Sequence, residues 1–502
     1  MRRVTRNGLV LAVLLCCAAP RVGDAASLLE GRVVDRTLDN GMRVLIVKRP
    51  AVPTVSYNLT VRAGSVDEPG GQSGLAHLFE HMAFKGTERI GTRDFSAERP
   101  LLEELDRLEV DLQRELALPR NPDTKRLAEL RRRFAEVQDR ARALVEPNEY
   151  GAIYDRQGAV GLNASTGADL TRYVVSLPAN RLPLWIALEA DRFSRPVFRE
   201  FYTERDVVLE ERRLRVDNNP GGKLYEAFLT TAFAAHPYRV PTIGWSSEVD
   251  RLTAPQARAF FEEQYAPANA VLAIVGDVDV DATLRQVAAS FGAIPARPAP
   301  AGGVAQEPRQ DGQRRVEVEY DAQPELLVGY HRPGIDHPDD PVFDVIESLL
   351  SSGRRSRLYA ELVTTRQVAV AASASAGEPG SRYPNLFVLR AVPRAPHTLD
   401  EVEAALLNEV ERLQREEVPA RELERVINRL DAGLIRSLQS NAGLASQLAY
   451  FEAVAGDWRY ILGIRDRTAA VTAKDVQRVA STWLVKRNRT VARLVPASPS
   501  AP

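Results

Sequence analysis

The sequence predicts an α+β protein with two domains. Predicted strands at 43–48 and 55–61 are followed by a helix, and the same strand–strand–helix order returns over residues 316–350. Between them, residues 296–312 are rich in Pro, Ala, Gly and Gln, which is typical of a linker. A chain of 502 residues can bury more than one hydrophobic core, so we expect one domain on each side of this linker.

The first residues predict export. Residues 1–25 start with basic side chains, continue with an apolar run and end in small residues, which is the pattern of a secretory signal peptide. Both cysteines, Cys16 and Cys17, lie in this segment, so the exported chain has none for a disulfide. Whether one of them carries a lipid stays open. We expect an exported bacterial protein, periplasmic or secreted.

The overall composition and the lengths of the apolar stretches bear on two possible environments, nucleic acid and the membrane interior. Hydrophobic residues make up 44% of the chain and charged residues 26%, as in ordinary globular proteins. The net charge of −1 lacks the basic surplus of a nucleic-acid-binding protein. No stretch after the signal is long and apolar enough to span a membrane. We therefore expect neither a nucleic-acid partner nor a transmembrane span.

The pattern H-x-x-E-H at His77, Glu80 and His81 is the centre of the functional argument. On a helix, positions i, i+3 and i+4 share one face, so the three side chains would lie together. Zinc favours imidazole and carboxylate ligands, and a catalytic zinc takes three protein ligands and leaves a position for water. Glu80 would then be the base that takes a proton from that water. We expect the helix to begin after Ser73, as its cap, and to end near Lys85.

Residues 74–87 resemble the zinc helix of the pitrilysin/insulinase metallopeptidases, whose H-x-x-E-H order is the inverzincin signature. That family includes the mitochondrial processing peptidase, and its third zinc ligand is a glutamate in a downstream helix reading roughly E-R-x-x-V-x-x-E. Residues 204–211 match this pattern, so the resemblance implies that Glu211 is the third ligand. It also makes Glu204 a carboxylate that orients a ligand histidine, with a solvated helix glutamate as the alternative. Glu210 would point about 100° away from Glu211 on a helix.

Residues 97–148 depart from the family pattern. Leucines repeat at heptad-like spacing from 101 to 116, apolar residues do so again from 127 to 144, and prolines stand between the two runs. This spacing predicts an antiparallel helical hairpin inserted after the zinc helix. The insertion explains why Glu211 lies so far downstream of His81. We expect the hairpin to fold largely on its own, because its two apolar seams face each other.

The resemblance resumes at residues 161–173, which look like the family's strand beside the metal. In relatives the exposed edge of this strand pairs with the substrate backbone, a β-augmentation mode. The resemblance therefore implies that Asn163, Ala164 and Ser165 bind substrate. The alternative is an ordinary edge strand.

The resemblance covers nearly the whole chain after the signal peptide. It implies a half-shell of two homologous α/β-sandwich domains, each an antiparallel-rich sheet with helices on one side. We assign the zinc-binding domain to residues 27–295, the linker to 296–312 and the C-terminal domain to 313–495. Residues 496–502 are expected to form a disordered tail.

Motif and resemblance together predict a zinc endopeptidase with one zinc ion per chain. It would hydrolyse peptides or extended protein segments with a zinc-activated water and Glu80 as general base. The alternative is a non-catalytic peptide-binding or assembly subunit of a heteromeric peptidase, although such relatives usually have a degraded zinc motif. A purely structural zinc is disfavoured, because a closed structural site does not need Glu80.

The second domain predicts a partner chain. In many single-chain relatives an Arg and a Tyr of this domain contact substrate, whereas here Val370 stands at the Tyr position. A chain with complete zinc residues but without that Tyr is similar to the catalytic subunit of a two-chain, processing-peptidase-like enzyme. Its partner would be a homologous chain without zinc. A homodimer is the competing arrangement.

Overall fold

The computed structural model describes residue 29 and residues 31–118 and 123–497. The predicted signal peptide with both cysteines, the proline turn of the hairpin at 119–122 and the end of the predicted tail at 498–502 lie outside the described residues. Two β-sheets and many helices confirm the predicted α+β class. Among the described residues, no helix is long and apolar enough to cross a membrane.

The N-terminal half is built around a six-stranded sheet. Its strands are β1 Val33–Thr37, β2 Arg43–Lys48, β3 Thr54–Val61, β4 Val160–Thr166, β5 Thr171–Pro178 and β6 Ala270–Gly276. They lie in the order β1-β2-β6-β3-β5-β4, with β2 and β6 parallel and all other neighbours antiparallel. Strand β4 is at an edge, so one side of its backbone has no strand neighbour among the described residues.

Ten helices of the N-terminal half are described. They are α1 Leu75–Met82, α2 Phe95–Leu116, α3 Thr124–Arg142, α4 Glu149–Arg156, α5 Leu182–Ser194, α6 Phe201–Arg212, α7 Pro220–Ala232, α8 Ser246–Val249, α9 Ala254–Gln264 and α10 Val280–Ser290. A π-helical segment, Arg213–Asp217, continues α6. Helices α1 and α6 carry the predicted zinc residues, and they pack against each other although more than a hundred residues separate them in the chain.

The C-terminal half is built around a five-stranded sheet in the order β7-β11-β8-β10-β9. Its strands are β7 Arg314–Glu319, β8 Glu325–Arg332, β9 Ala369–Glu378, β10 Asn385–Pro393 and β11 Arg489–Val495. Its helices are α11 Asp340–Ser351, α12 Leu399–Arg415, α13 Ala420–Gln439, α14 Asn441–Val454, α15 Tyr460–Ala469 and α16 Ala473–Trp483. The predicted strands and the helix over residues 316–350 are thus present as β7, β8 and α11.

Each half covers a face of the other half's sheet with one helix. Leu448 of α14 lies in one apolar cluster with Val271 of β6, although α14 belongs to the C-terminal half. In return, Phe228 of α7 packs with Leu327 of β8. A Cβ atom on Gly329 of β8 would stand 2.3 Å from the Phe228 ring, so this close approach requires glycine. Both sheets are therefore buried on two faces, which matches the nearly continuous apolar sequences of β2 and β6.

Helices α2 and α3 form an antiparallel hairpin in the region where the heptad spacing predicts one. Ion pairs join Glu104 to Arg133 at 2.6 Å and Glu115 to Arg126 at 3.3 Å. Residue numbers rise along one helix as they fall along the other, so the two helices run in opposite directions. In the chain, this hairpin lies between α1 and the short helix α4.

The base of this hairpin packs into the N-terminal core, which argues against the expectation that the hairpin folds largely on its own. Leu101, Leu105 and Leu108 of α2 are buried in the same cluster as residues of the sheet. Beside them, Glu98 and Arg199 form an ion pair at 3.0 Å with side chains 0% and 1% exposed. Arg199 also donates to three main-chain carbonyls in the loop after α1. Removing the whole hairpin would leave that guanidinium buried without its carboxylate.

Candidate metal centre

The helix of the H-x-x-E-H motif begins differently from the prediction. Gly74, not Ser73, is the residue before α1, and its φ of 90° is one that glycine adopts without strain. The carboxylate of Glu68 accepts hydrogen bonds from the backbone N–H groups of Gly74 at 3.0 Å and Ala76 at 2.8 Å. Ser73 instead accepts a hydrogen bond from the N–H of Trp245 at 2.9 Å. Glu68 therefore does the capping, from a position that local sequence does not reveal.

Three side chains with ligand atoms converge between α1 and α6. Nε2 of His77 lies 3.7 Å from Oε1 of Glu211, and Nε2 of His81 lies 3.5 Å from Oε2 of the same carboxylate. The three ligand atoms all lie within 4.8 Å of one another. Ligands about 2.0–2.2 Å from a tetrahedral zinc ion are about 3.3–3.6 Å apart. The two histidine–carboxylate distances lie close to this range, while the spread of up to 4.8 Å is wider, so the three side chains would draw together around one zinc ion.

The burial of His77 favours the form that binds a metal. Its side chain is about 10% exposed, and burial, with smaller contributions from His81 and Arg215, lowers its pKa to about 3. His77 therefore stays neutral at physiological pH, and neutral imidazole is the form that binds zinc. Its buried Nδ1 has no hydrogen-bond partner among the described residues.

His81 is oriented from behind by a second carboxylate. Its Nδ1 lies 3.4 Å from Oε2 of Glu204, which leaves Nε2 facing Glu211. Burial would lower the pKa of His81, but the hydrogen bond to Glu204 and the neighbouring carboxylates raise it above its usual value. Lys85 donates to Glu204 at 2.7 Å and to Glu200 at 3.0 Å. Glu204 thus stands where a residue that orients a ligand histidine is needed.

Glu80 lies on the same helix face and is held by a residue that the sequence argument did not single out. The hydroxyl of Thr166 donates a hydrogen bond to Oε2 of Glu80 at 2.6 Å. Burial raises the pKa of Glu80, against the lowering effect of this hydrogen bond and of His81. Thr166 is the last residue of β4, so it belonged to a segment already assigned to the site, but its partner could not be read from the sequence.

The predicted substrate strand borders the centre. Asn163 on β4 is exposed, Ala164 is buried and Ser165 is partly buried, where its hydroxyl accepts a hydrogen bond from Arg172 at 2.7 Å. Asn163 and Ala164 line two cavities, of about 640 Å³ and 540 Å³, that meet at Glu80 and His81. Together these cavities form a cleft that passes the free edge of β4.

Two other residues lie away from the cluster. Glu210 points out of it and pairs with Arg213 at 2.7 Å, with both side chains more than half exposed. Val370, at the start of β9, is 46% exposed. Neither residue lines the cleft beside the three ligand atoms.

Two models of one peptidase family match the chain. The model described as "Insulinase (Peptidase family M16)" matches residues 43–100, which include the H-x-x-E-H motif. The model described as "Peptidase M16 inactive domain" matches residues 251–430. The second match covers much of the C-terminal half, which lacks the motif.

Similar proteins span nearly the same length. The chain is 26% identical to "Zinc protease PqqE" of Helicobacter pylori over 470 residues, 92% of each protein. It is 28% identical to an uncharacterized zinc protease of Mycobacterium tuberculosis over 461 residues, 90% of each. These relatives share both halves and are named for a zinc-dependent activity.

Solved structures share the fold. A protease from Helicobacter pylori superposes with a TM-score of 0.77 at 24% identity, covering 92% of this chain and 99% of that one. The periplasmic protease PqqL from Escherichia coli superposes with a TM-score of 0.67 at 18% identity, covering 94% of this chain but 49% of that one. PqqL is thus about twice as long, and its first half alone superposes with a TM-score of 0.66.

Proposed function

Because the chain belongs to the insulinase (M16) family of peptidases, we propose that it is a zinc-dependent endopeptidase. His77, His81 and Glu211 hold the metal, and Glu80 is the general base. The observation that carries this proposal is the convergence of three ligand atoms within 4.8 Å of one another, beside a carboxylate on the same helix face. A purely structural zinc site would use His77, His81 and Glu211 as ligands but would not need Glu80.

The three donor side chains suit zinc and leave one position of a tetrahedral ion for water or substrate. Two imidazoles and one carboxylate are three ligands, one fewer than a closed structural site has. When bound, zinc supplies Lewis acidity that polarises a scissile carbonyl and lowers the pKa of a water. His77 and His81 offer Nε2, while Glu204 holds the other ring nitrogen of His81 and so fixes the direction of its lone pair.

Glu80 moves the proton. Its carboxylate takes the proton of the attacking water and returns it to the amine that leaves, as a general base and then a general acid. Thr166 holds Oε2 of this carboxylate and so restricts its orientation. Because the hydrogen bond to Thr166 stabilises the charged form, it opposes the burial that raises the pKa of Glu80.

The substrate lies along the free edge of β4. An extended peptide can add there as a further strand, so its backbone N–H and C=O groups pair with those of residues 163–165. Main-chain pairing does not depend on side chains, which suits an enzyme that cuts extended segments. The cleft beside this edge leads to Glu80 and His81.

The enzyme acts with a second half-shell. PqqL carries about twice the length of this chain, and this chain superposes on its first half. Val370 lacks the polar group that single-chain relatives use at this position, so we propose that a homologous chain without zinc completes the chamber. A homodimer is the alternative, and the mass of the purified chain in solution, alone and with such a relative, distinguishes them. We also propose export to the periplasm, where PqqL is found.

One experiment tests the central proposal. Purified protein is analysed for metal content and assayed on an unstructured peptide, before and after chelation and after zinc is restored. The proposal expects about one zinc per chain and activity that is lost and regained with it. Stoichiometric zinc without peptidase activity, alone or with a homologous partner, would favour a peptide-binding subunit instead.

A further inference from the structure

The two cavities of the cleft have differently charged walls. The larger cavity, about 640 Å³, lies on the side of His77 and Glu211 and is also lined by Arg215 and Arg239. The smaller, about 540 Å³, lies on the side of Lys85 and carries several carboxylates. Glu80, Glu211 and Glu226 also line the larger cavity, so its three carboxylates face two arginines, whereas five carboxylates face two cations in the smaller one. A peptide that passes the metal centre along β4 would therefore meet the larger excess of negative charge on the side of Lys85.

The two arginines of the larger cavity differ in their partners. Its carboxylate Glu226 is paired at 2.8 Å with Arg212, whose side chain is 5% exposed. Arg215 lies 2.7 Å from Oε1 of Glu211, the proposed metal ligand. Arg239 donates to the main-chain carbonyl of Ala234 at 3.0 Å and has no carboxylate partner among the described residues. Arg239 is therefore the cation of this cavity without a carboxylate partner, and Arg215 would share the charge of Glu211 with a bound metal ion.

The smaller cavity is the more acidic of the two. Glu146, Glu149, Glu200 and Glu204 line it together with the cations Lys85 and Arg199. Glu146 pairs with Arg93 at 3.3 Å, and Lys85 pairs with Glu200 and Glu204, so Glu149 is the carboxylate of this group without an ion pair among the described residues. Glu149 accepts a hydrogen bond from the N–H of Gly91 at 2.6 Å, which leaves its charge in place. An acidic side chain of a substrate would be repelled from this wall and attracted to the other.

We propose that Arg215 and Arg239 select substrates with an aspartate or glutamate on one side of the scissile bond. This inference rests on the proposed peptidase function and adds the class of substrate. A guanidinium binds a carboxylate through two parallel N–H···O bonds, a geometry that lysine cannot reproduce. Both arginines are exposed at the cleft, so the preference is modest, about fivefold in kcat/KM.

Peptides with a single moved charge test the proposal. One glutamate is placed at successive positions of an otherwise uncharged, unstructured peptide, and cleavage sites and kcat/KM are measured by mass spectrometry. Glutamate on one side of the cleaved bond should raise kcat/KM about fivefold over alanine, and on the other side should lower it. A lysine series should show the reverse order. Raising the salt concentration should weaken both effects.

Charge-reversal variants assign the preference to the cavity. Arg239→Glu should turn the preference from glutamate to lysine, whereas Arg285→Glu, on exposed surface of α10, should leave it unchanged. Arg215→Gln should weaken it, and the metal content of this variant is measured because Arg215 contacts Glu211. Equal effects of Arg239→Glu and Arg285→Glu would assign the preference to the overall charge and overturn the proposal.

A binding assay separates this inference from the proposed function. The Glu80→Gln variant loaded with zinc is titrated with labelled glutamate and lysine peptides, and fluorescence anisotropy reports their affinities without turnover. Zinc-dependent cleavage with no charge preference in kcat/KM or binding would refute the role of the arginines and leave the peptidase proposal intact. Charge-selective binding without any cleavage by the wild type would refute the peptidase and retain the substrate class.

Discussion

The hydroxyl of Thr166 donates a hydrogen bond of 2.6 Å to Oε2 of Glu80. This contact joins the end of β4, the proposed substrate strand, to the proposed base on α1. The strand that would hold the peptide therefore also holds the group that would move the proton. Their relative position is fixed by a side-chain contact and not by chain connectivity.

Thr166→Val should move the acid limb of the pH–rate profile to higher pH. The hydrogen bond stabilises the carboxylate of Glu80 and so lowers its pKa, and its loss lets the pKa rise further. Because the base must be deprotonated, activity is then lost at a higher pH than in the wild type. Thr166→Ser keeps the hydroxyl and should keep the wild-type profile. An unchanged profile in the valine variant would show that Thr166 does not tune the base.

Glu80→Gln should keep zinc but lose turnover. The amide cannot take a proton from water, while the three ligand side chains are untouched. Loss of a general base costs about 10²–10⁴ in rate. Metal analysis of the purified variant checks that zinc is retained, and its kcat checks that turnover is lost. A near-normal kcat would show that Glu80 is not the general base.

Glu211→Gln should lose zinc, whereas Glu210→Gln should not. Oε1 and Oε2 of Glu211 face His77 and His81 at 3.7 and 3.5 Å, but Glu210 pairs with Arg213 on the outer face. Zinc content after dialysis against a weak chelator distinguishes the two variants. Equal retention of zinc would reject Glu211 as the third ligand.

Leu105→Ala should destabilise the protein far more than Leu116→Ala. Leu105 is 6% exposed at the base of the hairpin, where it belongs to the N-terminal core, whereas Leu116 is 50% exposed near the tip. Truncating a buried leucine costs about 2–5 kcal/mol, and truncating an exposed one less than about 0.5 kcal/mol. The free energy of unfolding in urea measures both. Similar values would show that the hairpin base is independent of the core.

Residues 27–295 expressed alone should not unfold in a cooperative thermal transition. Without α14, the apolar face of β2 and β6 loses its cover, and α7 loses the sheet on which Phe228 packs. The full chain should unfold in one transition, since each half completes the other. Calorimetry of both proteins checks this, and a cooperative transition of the isolated half at the temperature of the full chain would contradict it.

Local patterns were sufficient for much of the site. Helix geometry alone places His77, Glu80 and His81 on one face, because their spacing matches a single turn. Glu211 was found by its resemblance to a family pattern, and helix phase then separated it from Glu210. The structure brings Glu211 to the two histidines, at distances that suit one metal ion.

Other features could not be predicted from the sequence. Glu68 caps α1 from six and eight residues before the N–H groups it binds, where a serine at 73 was the ordinary candidate. The heptad spacing of α2 is satisfied both by its partner α3 and by the core, so the pattern does not say which surfaces it covers. Arg199 and Glu98 are far apart in the chain, and nothing local marks them as a buried pair.

Local sequence patterns were enough to predict the α+β class, the strands β2, β3, β7 and β8, the helices α1, α2, α3 and α11, and the kinds of donor atom at the centre. These follow from hydrophobic period, turn residues and spacing within one or two helical turns, which are local properties of the chain. The folded structure was needed to show that α7 and α14 each pack on the sheet of the other half, that Thr166 holds Glu80, and that Arg215 and Arg239 line one cavity. Each of these depends on which distant surfaces bury each other, because packing joins residues by shape and not by their distance along the chain.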